Sequence, residues 1–76
     1  MPTIFVAEGF RFVIHTKDHR PPHVHAMKDG GDAMIDFVSI TLLQVAGLGK
    51  ADAAAALRIV CDHQQELMDA WRRLYG

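Results

Sequence analysis

The residues able to do chemistry concentrate in one segment, His19-Arg20-Pro21-Pro22-His23-Val24-His25, which holds three of the chain's five histidines. Histidine changes charge near neutral pH and is the commonest metal ligand. His23 and His25 alternate. On a strand their side chains point the same way, with Cα atoms about 6.5–7 Å apart. Two imidazoles so placed can converge on a metal ion, or on one phosphate or carbonyl group between a proton acceptor and a proton donor. The candidate catalytic set is His23, His25 and Asp36. The candidate metal ligands are His19, His23 and His25. The cofactor they suit is a divalent transition ion such as zinc, with Asp36 as an outer orienting group. There is no Cys-x-x-Cys and no second metal half-site. The competing reading is plain: polar side chains covering the solvated face of an antiparallel sheet.

These residues need a scaffold, and the pattern around them is one of strands. In Phe10-Arg11-Phe12-Val13-Ile14-His15, Phe10, Phe12 and Ile14 fall on one face and Arg11, Val13 and His15 on the other. That alternation marks a half-buried strand. Glu8-Gly9 turns the chain from a short strand at Thr3–Ala7. Lys17 to Pro22 reads as a loop. His23 to Met27 alternates again, with Val24 and Ala26 inward and His23, His25 and Met27 outward. Asp29-Gly30-Gly31 is a hairpin signal. Ala33-Met34-Ile35-Asp36-Phe37 returns with Ala33, Ile35 and Phe37 inward. With Asp29-Gly30 as the turn, His23 lies opposite Asp36. With Gly30-Gly31 as the turn, His25 does. His15 and His19 complete the neighbourhood. On this outer face, removal of His23 or His25 is expected to leave stability almost unchanged.

Ile40 to Val45 reads as a further short strand, and Gly47-Leu48-Gly49 ends it. Lys50 to Leu74 reads as one helix with Gly49 as N-cap. Its stripe is Leu57, Val60, Gln64, Leu67, Met68, Trp71, Leu74 and Tyr75. Asp52 in the first turn and Arg72-Arg73 in the last suit the helix dipole. The fold class is therefore α+β: a small antiparallel β-sheet of three to five strands, covered on one face by a long C-terminal helix. His63 and Cys61 edge the helix stripe, and Trp71 lies on it. Packing is the default role of Cys61 and Trp71.

Seventy-six residues make a single domain, 1–76, with a marginal core. One cysteine excludes an internal disulfide and fits a reducing, cytoplasmic setting. A formal net charge of −1 with no basic stripe disfavours broad DNA binding, while an RNA end held by a few groups stays open. The uncharged run from Phe37 to Gly49 is too short to cross a membrane. Val13, Met27 and Met34 on the outer face, and Ile59 off the helix stripe, point to a homodimer or a small protein partner.

Met1-Pro2-Thr3-Ile4, Gly9-Phe10-Arg11-Phe12, the His19–His25 segment, Gly47-Leu48-Gly49-Lys50 and His63-Gln64-Gln65-Glu66-Leu67-Met68-Asp69-Ala70-Trp71 together resemble a group of small bacterial proteins. This is the domain of unknown function 4160 family. The resemblance covers nearly the whole chain and falls on His19, Pro21, Pro22, His23, His25 and Trp71. The chain departs from it at Gly49, where Ser or Thr is expected, and in Ala53 to Ala56. The resemblance implies a component of a toxin–antitoxin-like two-gene module, with a small protein partner and RNA as a candidate target. A stand-alone metal-binding or hydrolytic protein using His23 and His25 is the alternative. Neither reading decides whether the chain is an enzyme.

Overall fold

The computed structural model describes residues 3–15 and 21–75. Five strands are followed by two helices: β1 (Thr3–Ala7), β2 (Phe10–Val13), β3 (His23–Lys28), β4 (Gly31–Asp36), β5 (Thr41–Ala46), α1 (Lys50–Asp62) and α2 (Gln64–Tyr75). The strands form one sheet in chain order, each antiparallel to its neighbours. The α+β class with a small antiparallel sheet holds.

Two tight turns set the registers. Glu8 and Gly9 both have positive φ, as do Asp29 and Gly30. That is the backbone hand which matches the twist of a two-residue hairpin. The second turn leaves Lys28 opposite Gly31 and His23 opposite Asp36, which decides between the two registers. At Glu8 the strained conformation is tied down by Arg58, whose Nη2 donates to both carboxylate oxygens at 2.7 and 2.8 Å. The hydrogen bond to Glu8, and then its charge, push the Arg58 guanidinium above its ordinary pKa.

The alternation on β2–β4 buries one face. Phe10, Phe12, Ile14, Val24, Ala26, Ala33, Ile35 and Phe37 join Ala56, Ile59 and Val60 of α1 and Leu67 and Ala70 of α2 in one apolar cluster. The small Ala53 and Ala56 let α1 approach closely, and both are buried. Ile59, expected off the stripe, is 2% exposed, whereas Leu74, expected on it, is exposed. Val13 is also buried rather than presented outward. Neither Ile59 nor Val13 is available for association.

The single long helix is corrected to two. A continuous helix over Lys50–Leu74 would be about 38 Å long at 1.5 Å per residue. The molecule extends only 34 Å in its longest direction, and a six-residue strand spans roughly 20 Å. The break falls at His63, with φ −111° and ψ 19°. Its N–H is shared between the carbonyls of Ile59 and Val60. Contacts with the sheet hold it there. The His63 ring stacks on Phe5 with centroids 4.3 Å apart, and Gln64 Nε2 donates to the carbonyls of Phe37 and Val38. Gly49 is the N-cap, as expected.

Where β4 begins, Gly31 passes close to Gly47 and Leu48. A Cβ on Gly31 would lie 2.5 Å from the Gly47 carbonyl oxygen and 2.6 Å from Leu48 Cδ2. β5 is an edge strand, exposed along its whole length. Among the described residues, no helix is long and apolar enough to cross a membrane.

Candidate functional site

β3 carries the site. Its inward residues Val24 and Ala26 are fully buried, as alternation requires. Its outward residues are not solvated, which corrects the expectation for this face. His23 is 4% exposed, and the His25 side chain 13%. Val13, the cross-strand neighbour of His25 on β2, is buried as well. The end of α2 adds aromatic surface at this end of the sheet. The Trp71 ring lies 6.5 Å from His23 and 5.9 Å from Phe37, and it packs on Tyr75 at 4.2 Å. Tyr75 donates its hydroxyl proton to the carbonyl of His15 at 2.7 Å. The helix C-terminus is thereby fastened to the end of β2.

Among the described residues, three imidazoles meet here. His25 is the middle one, with His15 edge-on at 4.2 Å and His23 edge-on at 5.3 Å between ring centroids. The rings of His23 and His25 are anchored through Nδ1. The Pro21 carbonyl lies 2.6 Å from His23 Nδ1. A carbonyl can only accept, so Nδ1 carries the proton. His25 Nδ1 lies 3.1 and 3.3 Å from the two oxygens of Asp32. An ionised carboxylate likewise only accepts, so this Nδ1 also donates. In both rings Nε2 becomes the basic nitrogen when the ring is neutral.

Asp36 is placed by register opposite His23. Its Oδ1 accepts the backbone N–H groups of Val38 at 2.9 Å and Ser39 at 3.1 Å. This is an Asx-type turn that starts the β4–β5 connection. The carboxylate bonded to a site histidine is instead Asp32, four residues nearer the hairpin turn. Asp32 pairs with Met27 and His25 with Met34, so the contact is diagonal across the two strands. Long side chains reach such neighbours. Counting one diagonal step from His25 along the hairpin finds it; direct opposition across the strands does not.

His19 lies outside the described residues. Among the described residues, no three or more His, Cys, Asp or Glu side chains are grouped to hold a metal ion. His63 belongs to the helix break, with Nδ1 2.9 Å from Glu66 Oε1. Cys61 is exposed rather than packed.

No curated protein and no solved structure was found to match the chain. A family model described as Domain of unknown function (DUF4160) matches residues 9–72, from the turn before β2 to the last turns of α2. That match takes in all three site histidines, Asp32 and Trp71, and it shows that the chain belongs to this family of unknown function.

Proposed function

We propose that the chain is the partner-binding component of a toxin–antitoxin-like two-gene module, acting through a small protein partner, with RNA as a candidate target of the pair. The module comes from the resemblance of the sequence. The observation that supports partner binding is β5. Native edge strands are usually blunted by charge, proline or a covering element. Thr41-Leu42-Leu43-Gln44-Val45-Ala46 contains neither charge nor proline, and all six residues are exposed. Val38, just before the strand, adds to the apolar surface at 51% exposure. A strand from a partner can extend the sheet here by main-chain hydrogen bonds, with alternate side chains giving specificity.

The test is co-expression with the protein of the neighbouring reading frame. The expected result is co-purification that is lost on Leu42→Lys with Val45→Lys, and a growth effect of one protein that the other relieves. Absence of co-purification, together with normal growth in every combination, overturns the reading. Light scattering of the chain alone identifies a second copy as the occupant if the mass is that of a dimer.

A second reading, a metal-binding or hydrolytic protein using His23, His25 and Asp36 with His19 as a further ligand, has its own support. Metal-binding histidines commonly donate the non-ligating ring N–H to a carbonyl or carboxylate. His23 and His25 each have such an anchor, in Pro21 and Asp32. Zinc titration of the purified protein, followed calorimetrically, checks this. Binding lost in His23→Ala and His25→Ala, at a temperature where melts show each variant folded, supports a metal site; no binding by the wild type refutes it.

A further inference from the structure

We propose that Asp32 is the positioning residue of the histidine site: it fixes the proton of His25 on Nδ1 and so makes Nε2 the nitrogen that accepts a proton or coordinates an ion. This deepens the histidine reading and rests on it for its purpose. Its test requires neither a metal nor a turnover assay, so the two can fail separately.

The geometry is specific. The Asp32 carboxylate presents both oxygens to one ring nitrogen, at 3.1 and 3.3 Å. His25 is mostly buried while the Asp32 side chain is 40% exposed. The acid therefore stays solvated at little desolvation cost, and the ring it orients lies inside. The His25 ring is confined further by His15 and His23, each edge-on to it. A neutral imidazole chooses its tautomer by the hydrogen bond its other nitrogen makes. Free in water, histidine favours the proton on Nε2. The contact with Asp32 selects the opposite tautomer. The Pro21 carbonyl imposes the same choice on His23. The two alternating rings of β3 are thus set alike, by one backbone and one side-chain acceptor. Of the two, only the Asp32 contact can be removed by a side-chain substitution.

The experiment is imidazole nitrogen NMR on the full chain, labelled at histidine, at a pH well above the range in which imidazole titrates. In the wild type, His25 is expected to give the Nδ1–H pattern. In Asp32→Ala it should switch to the Nε2–H pattern. Asp32→Asn retains an oxygen acceptor and should hold the Nδ1–H form. His23, anchored by Pro21, should not change in either variant and reports that the site is intact. Thermal melts accompany the spectra, and the exposed position of Asp32 predicts folded variants. An Nε2–H pattern for His25 in the wild type, or an unchanged Nδ1–H pattern in folded Asp32→Ala, overturns the proposal.

Discussion

Truncating His23 tests whether the histidine segment is a decorated surface or part of the packed structure. The residue is 4% exposed, and its Nδ1 donates to the Pro21 carbonyl at 2.6 Å. Losing a hydrogen bond of this kind costs about 0.5–1.5 kcal/mol net. Truncating a buried side chain to alanine costs about 2–5 kcal/mol for purely apolar groups. A half-polar imidazole falls near the bottom of that range, so His23→Ala should lose roughly 2–4 kcal/mol in all. A domain of 76 residues carries a total stability of only about 4–11 kcal/mol at ordinary values per residue. At about 4–8 °C per kcal/mol for a domain this small, the midpoint should fall by roughly 10–30 °C. His23→Asn separates the two contributions. Its amide can donate near the position of Nδ1 and should recover about 1 kcal/mol of the loss. The assay is a thermal melt followed by circular dichroism, with urea unfolding as a check on the free energy. A midpoint for His23→Ala within about 2 °C of wild type refutes the burial argument and returns His23 to the solvated face. Equal midpoints for the alanine and asparagine variants would show that the bond to Pro21 contributes nothing.

Four further outcomes follow from the packing. Gly31→Ala places a Cβ against the Gly47 carbonyl and Leu48 and should cost about 1–3 kcal/mol by overpacking; an unchanged urea midpoint contradicts the close approach. Gly30→Ala meets no atom but must hold a left-handed φ of 81°, so about 1–2 kcal/mol of strain is expected and a melt reads it. Asp36→Ala removes the acceptor for the Val38 and Ser39 N–H groups; a loss of about 1 kcal/mol in urea unfolding is expected, and a much larger loss would mean that Asp36 supports more than its turn. Leu42→Lys with Val45→Lys, on exposed positions of β5, should change the melting midpoint by little while abolishing any concentration-dependent mass in light scattering; a large drop in stability instead would show these residues to be packed.

Much of this molecule was legible in the linear pattern. Alternation of Phe10, Phe12 and Ile14, and of Val24 with Ala26, named the buried face of the sheet, because a strand has only two sides and one must be apolar. Asp29-Gly30 supplied a turn, since both residues tolerate the positive φ that a tight hairpin demands. The same turn, once fixed, placed His23 and His25 side by side and Asp36 opposite His23. Strand periodicity says which way a side chain points but not what covers it. Burial of His23 and Val13 on the other face was therefore unreadable; beside His23 stands Trp71 of α2, which is distant in sequence. The helix break at His63 had no local signal, there being no glycine or proline near it. It falls where Phe5, Phe37 and Val38 offer contacts to His63 and Gln64. The choice of Asp32 over Asp36 as the partner of a histidine was likewise tertiary. Both acids share the strand and its face. Only the three-dimensional arrangement shows that the turn after β4 takes one carboxylate, while the diagonal across the hairpin brings the other to His25.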